Sequence, residues 1–579
     1  MAESRRKRFN TLWSQMKTER SSFDSHWRDL SDFILPRRAQ FSLSDVNRGE
    51  KKNQNIIDGT ATFSLRTLKS GLVSGITSPA RPWFDLTISD RDMVEFGPVK
   101  TWLADCTRIM SNGYRKTNYY QVAPIIYGDL GCFGTGAMFV DEDLDNIARF
   151  YPMPIGSYCI ANDAKLRVRV FVREMMMTVR QVVEKFAQNE ITNELDWSRV
   201  SEYVKRQWDQ GNYETWIQVR HVVQPNTRYN PRKLESKYKR YESIYYEPGG
   251  AGVSGDSYIN SSDEDKFLSE KGYDYFPVLA PRWEITGFDV YGTDCPGMTS
   301  LGDVKALQKM QRRKAEAIDK MVRPPMVGSA SLKRSGSSML PGEITYTDNR
   351  KGEEIFRPAY QVDPRIQEMM QDINDHQKRI QKAFYEDIFL MMAMSDRREI
   401  TATEIAERRE EKLVALGSVY DRINEDQLDP QTDIMFQLMW RQRRLPPPPP
   451  ELEGVEEIGV KYTSIMAQAQ KLLGLAAVER FSSFAVNLFT QTQDRAILRK
   501  VDFEQMIDVY GYRVGIDPSI VRSDEVVAEM ERVEIEAAQQ AQQADALAKG
   551  AKAAKDLAGA DMEGDNALTR LMQTAQAGV

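Results

Sequence analysis

Cysteine is nearly missing from this chain. Four residues, Cys106, Cys132, Cys159 and Cys295, are scattered over 579 positions with no CxxC spacing. That excludes a disulfide framework and fits a reducing compartment. Histidine is rarer still, with only His26, His221 and His376, and without Cys pairs or His-rich motifs a structural zinc site is not expected. Long apolar runs are also missing. The longest, Ile388 to Met394, has seven residues, where a bilayer-crossing helix needs about 20. The opening MAESRRKRF is basic but has no apolar segment behind it, so no secretory signal is expected. No GxxxxGK[ST] phosphate loop, GxSxG elbow or HExxH pair occurs, which argues against an ATP-driven motor and the common hydrolases. Excess positive charge is absent too. Lys and Arg number 78 against 84 Asp and Glu, a net charge of −6, whereas proteins that grip nucleic acid by its phosphates are usually basic.

What is present is an ordinary globular composition, 41% hydrophobic and 28% charged, in a chain long enough for roughly three or four domains. Phe9, Leu12, Trp13, Met16, Phe23, Trp27 and Leu30 recur at three- and four-residue steps and predict an amphipathic helix ended by Pro36. A polar loop over 42–55 precedes a second helix, with Asp58 as N-cap and Leu65, Leu68 and Leu72 on one face. SPARPWFDL (78–86) stops it and leads into an extended piece, followed by helices near 98–116 and 119–131. From Ala137 the apolar period shortens to two. AMFVD, ARFYPM and RVRVFVREM predict antiparallel strands, with Val168, Val170 and Val172 on one side. Short helices over 178–187 and 197–207, strands over 215–223 and 242–247, and a flexible glycine loop over 247–256 complete a mixed α+β half.

Beyond Pro296 the pattern is helical, so the fold class is α+β and predominantly helical. Leu301, Val304, Leu307, Met310, Ile318 and Met321 share one face, ended by Arg323, Pro324 and Pro325. A second helix begins at Pro364, with Ile366, Met370, Ile373, Ile380, Phe384 and Ile388 in register. Each has about 24 residues, roughly 36 Å, and they bracket an insert of about 40 residues. Helices over 402–420 and 430–443 follow, then a polyproline spacer at Pro446 to Pro450. From about 461 the chain is expected to be helical, ending in an Ala/Gln/Glu stretch with little apolar surface of its own and a disordered last fifteen residues.

Candidate chemistry is thin. GDLGCFGTG (128–136) lacks the lysine of a phosphate loop and reads as a tight turn from helix to strand. Asp141, Glu142, Asp143 and Asp145 could hold Mg²⁺ in principle, but clustered acids in a turn are more often a solvated loop. His376 reads as a polar-face residue inside the second long helix. Met391, Met392 and Met394 form a soft apolar group, either core filling or a hinge that repacks as a neighbouring loop moves. RREEK (408–412) is a solvated helix face or an ion-pair strip between subunits. No catalytic residue, metal site or cofactor is assigned.

Four segments carry a family resemblance. TLKSGLVSGITSPARPWFDL (67–86), FGTGAMFVDED (133–143), YPMPIGSYCIANDAKLRVRVFVREM (151–175) and FPVLAPRWEITGFDVYGTDCPGMTSLGDVKALQKM (276–310) resemble, in order and spacing, the portal or head-to-tail connector family of short-tailed, T7-like bacteriophages. The resemblance implies a ring of twelve subunits around a DNA channel. Residues 1–295 would be the wing, 296–325 and 364–389 the two stem helices, and 326–363 the clip. Residues 390–400 would form the channel loop, 401–455 the return helices and polyproline spacer, and 456–579 a helical crown with a disordered tail.

The same resemblance implies the sites and partners. Ser395, Asp396, Arg397, Arg398 and Glu399 would meet DNA lightly in the channel or pair only with one another or with an adjacent subunit, and Met391, Met392 and Met394 would hinge that loop. Lys333, Arg334, Arg350 and Lys351 of the clip would dock the packaging motor and then the tail. Partners would be other copies of the chain, double-stranded DNA, terminase, a tail adaptor, and the major capsid and scaffolding or internal core proteins, with no membrane. The protein would be assembled in the host cytoplasm and stand at the portal vertex of the virion. A packaging enzyme is the first rival, and the missing phosphate loop speaks against it. A tail adaptor or tube is the second, usually shorter and without a helix–insert–helix. A coiled scaffold is the third, opposed by the strands over 137–247.

Overall fold

The structure is a computed structural model. It describes residues 4–43, 49–80, 82–88, 93, 96–188, 194–249, 266–323, 326–328, 356–358, 365–394, 416–452, 458–462 and 475–492, with separate helical residues between 506 and 549. It divides into two compact units, Met1–Leu473 and Gly474–Val579.

The first unit opens on α1 (Arg5–Phe33), whose stripe of Phe9, Trp13, Met16, Trp27 and Leu30 is buried. Arg20 falls on that stripe and is buried with it. Its guanidinium is satisfied by the carbonyl of Tyr158 at 2.8 Å and the carboxylate of Asp24 at 3.1 Å, as a buried charge requires. Next come α2 (Thr60–Ile76), β1 (Phe84–Ile88), α3 (Gly97–Lys116) and α4 (Tyr119–Phe133). The N-cap of α2 is Gly59, not Asp58. Asp58 acts one position further out, its Oδ1 accepting from the Thr60 backbone N–H at 2.9 Å. Gly134 ends α4 in the left-handed region at φ 73°, a conformation glycine adopts without penalty. GDLGCFGTG is therefore the end of a helix and a turn into a strand.

That strand is β2 (Met138–Asp143), followed by β3 (Ile147–Pro152), β4 (Tyr158–Asn162) and β5 (Val168–Thr178). A single helical turn, α5 (Val179–Val182), runs into a π turn, Val183–Ala187. Then follow α6 (Glu202–Asp209), β6 (Trp216–Pro225), β7 (Tyr241–Tyr246), β8 (Ser269–Tyr273) and β9 (Val278–Leu279). The helix expected over 197–207 thus starts later, at the Ser201 cap, whose hydroxyl accepts from the Val204 N–H. The glycine loop expected over 247–256 lies mostly outside the described residues.

Strands β4 to β8 form an antiparallel sheet in chain order, and β3, β2 and β9 form a second. Period-two alternation gives the larger sheet two apolar faces. Val172, Val222 and Ile244 meet Phe9, Trp13 and Met16 of α1, while Ile217, Val219 and Tyr245 meet α5 and α6. Val170 joins the α1 face, but Ala161 pairs with Val170 and Asn162 with Val168, so Arg169 is an inserted residue. Val168 consequently packs against the main core rather than beside Val170 and Val172.

The rest of the unit is α7 (Pro296–Val322), β10 (Met326–Gly328), β11 (Phe356–Pro358), α8 (Ile366–Ala383), α9 (Glu386–Met394), α10 (Gly417–Ile423), α11 (Asp429–Arg441) and β12 (Ile458–Tyr462). A π turn, Asn424–Leu428, joins α10 to α11. The proline run is not a free spacer. Trp102 donates to the Pro446 carbonyl at 3.1 Å, and Leu445 and Leu452 are buried at either side. It delivers the chain to β12, which pairs antiparallel with β1, Phe84 to Tyr462 and Ile88 to Ile458. The start of the expected helical crown is therefore a strand of the first unit. In the second unit α12 (Leu475–Thr492) buries Ala485 and exposes Phe481 and Phe484.

Among the described residues no helix is long and apolar enough to cross a membrane.

Candidate functional site: the long helix pair and its anchorage

Proline at its first turn starts α7, and Leu301, Val304 and Leu307 bury one face of its first half. Asp303 of α7 meets His376 of α8, and beyond them β10 and β11 pair antiparallel, Met326 to Pro358. The two helices therefore run in opposite directions as a hairpin.

One carboxylate fastens this hairpin to the body. Asp58 Oδ2 accepts from Gln311 Nε2 and from Gln377 Nε2, each at 2.9 Å, so it clamps both helices at once. Gln308 completes the knot. Its Oε1 accepts the backbone N–H groups of Ile57 and Asp58 at 2.7 and 2.8 Å, and its Nε2 donates to the Asp58 carbonyl at 2.9 Å. Burial pushes the Asp58 carboxyl upward, but the bonds from Thr60, Gln377 and Gln311 outweigh it and hold the group below its usual range. Around this knot Lys305 pairs with Asp29 of α1 at 2.6 Å, His376 Nδ1 lies 2.7 Å from Asp303, and Ser64 of α2 donates to Glu386 at 2.7 Å. His376 is thus a contact between the two helices and not a solvated polar-face residue.

The second long helix is not continuous. It breaks after Ala383 at Tyr385, a non-glycine residue at φ 55° stacked on Trp283, and resumes as α9. Fully buried Phe384 and nearly buried Phe389 require the turn. The ring of Phe389 presses on α2 where only glycine fits. A Cβ on Gly71 would stand 2.0 Å from it. Met391, Met392 and Met394, expected in a loop, therefore lie in the last turns of α9. Ser395, Asp396, Arg397, Arg398 and Glu399 lie outside the described residues, as do Lys333, Arg334, Arg350, Lys351 and the RREEK run.

At its far end the hairpin leaves the body. Ile318, Met321 and Val322 of α7 are 42%, 49% and 73% exposed, and Met370 of α8 is 48% exposed.

The other candidates hold no chemistry. Asp143 caps its own turn by accepting from the N–H groups of Asp145 and Asn146, and Glu142 pairs with Arg441 at 3.5 Å. Among the described residues no cluster of His, Cys, Asp and Glu could hold a metal. All four cysteines are free and buried. Burial pushes the Cys106 and Cys295 thiols up to about 12 and Cys159 to about 11, which keeps them protonated and unreactive. Sequence reading missed Asp129, which is fully buried against Arg38 in a bidentate pair at 2.9 and 2.8 Å. Burial dominates and lifts its carboxyl to about 6 despite the guanidinium.

A family model described as bacteriophage head to tail connecting protein matches residues 6–521. The chain is 43% identical over 580 residues to the "Portal protein" of Salmonella phage epsilon15, covering 100% of both chains. It is 38% identical over 571 residues to the "Probable portal protein" of Bordetella phage BPP-1, covering 98% of each.

Proposed function

The chain belongs to the bacteriophage head-to-tail connecting protein family, and from that premise we propose how its parts divide the work of a portal. Portal function follows from this membership: the chain is a structural component of the virion that oligomerises and joins capsid to tail. In finer detail, twelve copies close into a ring. The body up to about residue 295 is the wing, and α7 with α8 and α9 is the stem. The insert 326–363, with Lys333, Arg334, Arg350 and Lys351, is the clip that receives terminase and later a tail adaptor. Residues 390–400 approach the DNA through Arg397 and Arg398, and the second unit is the crown. The chain itself catalyses nothing, is assembled in the host cytoplasm, and also meets the major capsid and scaffolding or internal core proteins.

The observation that carries this reading is the exposed apolar end of the hairpin. Ile318, Met321 and Met370 are about half exposed there and Val322 is 73% exposed, and two antiparallel helices alone cannot bury both apolar faces. Neighbouring hairpins in a ring cover them, through one head-to-tail interface whose rotation closes. A net charge of −6 suits a channel through which DNA must slide without being held.

Mass and symmetry test the ring. Light scattering and negative-stain averages are expected to give about twelve chains of 66.4 kDa around a hole. A monomer under every salt condition overturns it. The variant R397A/R398A is expected to form rings with altered DNA retention, and unchanged packaging and retention would reject the channel assignment.

A further inference from the structure

The loop from β6 to β7 stands apart from the acidic balance of the chain. Residues 226–240 include six Lys or Arg and one Glu. The loop is a built projection. Asn226 Nδ2 donates to the carbonyls of Lys237 and Lys239 at 2.9 and 2.8 Å, and its Oδ1 accepts the Arg228 N–H at 2.9 Å. Asn230 repeats the device, its N–H donating to the Tyr238 carbonyl at 3.0 Å and its Oδ1 accepting the Arg232 N–H at 3.0 Å. Ser236 ties the loop to β8, its hydroxyl accepting from the Gly272 N–H at 2.9 Å.

Some of its cations are neutralised. Arg228 pairs with Glu270, Lys237 with Glu235 at 2.6 Å, and Lys239 with Asp274 at 2.9 Å. Others are not. Arg232, Arg240 and the neighbouring Lys271 of β8 are exposed and make no salt bridge among the described residues, and Lys233, also exposed, feels the Glu235 carboxylate only through space. The Lys233 ammonium sits 4.0 Å from the Tyr238 ring centroid, which steadies it without cancelling its charge. Four cations outside any salt bridge among the described residues, on a hydrogen-bonded loop in a chain of net charge −6, are an electrostatic footprint for a polyanion.

We propose that this loop is a second, sequence-independent contact for double-stranded DNA, made through phosphates and separate from the channel segment 390–400. Phosphates fit better than an acidic protein surface. The cations are spread over an exposed loop in which Leu234 is 95% exposed, whereas protein hot spots bury aromatic anchors in pockets. Four contacts fall short of the six to ten that make salt-sensitive, tight binding, so the expected dissociation constant is that of non-specific binding, about 10⁻⁴ to 10⁻⁶ M. Such a contact can tether DNA without stopping it.

The test uses the purified full chain and a fluorescein-labelled duplex of about 30 base pairs, with anisotropy read between about 50 and 200 mM salt. R232Q/K233Q/R240Q is expected to weaken binding at least about tenfold and to reduce the log–log salt slope by about 2.7, or about 0.9 per lost contact. R108Q/K116Q/R206Q removes three exposed cations from α3 and α6 and is expected to match wild type. Equal binding by the loop variant and wild type overturns the proposal, and so does equal weakening in the control. Unchanged DNA binding with lost incorporation into capsids also overturns it, and would reassign the loop to an acidic protein surface. The measurement needs no ring, so its failure is distinct from failure of the portal reading.

Discussion

The two ends of the helix hairpin have similar sequence patterns and opposite surroundings. At the anchored end Val304, Leu307 and Ile380 are fully buried and Asp58 is saturated with donors from both helices. At the far end Ile318, Met321 and Val322 continue the same apolar face into solvent. One end is a finished core and the other is half of one. The same residue types therefore have different uses. At the anchored end they hold the fold of one chain, and at the far end they are the surface that the proposed ring would cover.

The largest effect should come from the finished end. Leu307→Ala removes a fully buried side chain and is expected to destabilise the chain by about 2–5 kcal/mol. Urea denaturation of the dissociated protein measures it, and a loss below about 1 kcal/mol would mean the hairpin root is not a core. Next is Asp58→Ala, which strands Gln311 and Gln377 and is expected to cost about 1–3 kcal/mol, read in the same assay.

Acid should separate Asp58 from Asp129. The folded-state carboxyl of Asp58 is held low, so its contribution is present above the ordinary carboxylate range and is lost as pH falls through it. That of Asp129 is raised to about 6, so its contribution is full below the usual carboxylate range and is lost as pH rises through about 6. Asp58→Asn should flatten the low-pH loss, and Asp129→Asn should remove a decline that starts in the usual carboxylate range and is complete by about pH 6. Identical stability–pH curves for the two variants would refute the contrast.

The smallest effect on the single chain belongs to the unfinished end. I318S/M321S is expected to change unfolding free energy by no more than about 0.5 kcal/mol, yet to shift sedimentation from rings to smaller species. Normal rings from this variant would show that these side chains face solvent in the assembly.

Much of this architecture was legible in advance. The stripe of α1, the helices α2 to α4, the switch to period two after Ala137 and the helix–insert–helix all follow from residue spacing. The misses share a cause. Ile458, Val460 and Tyr462 alternate as a strand should, but the partner Phe84–Ile88 lies more than 350 residues away. Tyr385 sits in an unbroken apolar register, and the break there answers to Phe384 and Phe389 needing different neighbours. His376 looked solvated because Asp303 is 73 residues distant. Asp129 carries no local sign of Arg38.

Sequence by itself determined the mixed α+β class, the helix pair, the lack of a phosphate-loop motif, and the four segments that resemble the connector family. These rest on local periodicity and motif, which neighbouring residues encode. Tertiary structure alone decided that one aspartate clamps two helices, that a proline run returns the chain to its first strand, and which half of an apolar face is left uncovered. Those outcomes depend on which distant surfaces meet. Burial and hydrogen-bond satisfaction are properties of the packed chain and not of any stretch within it.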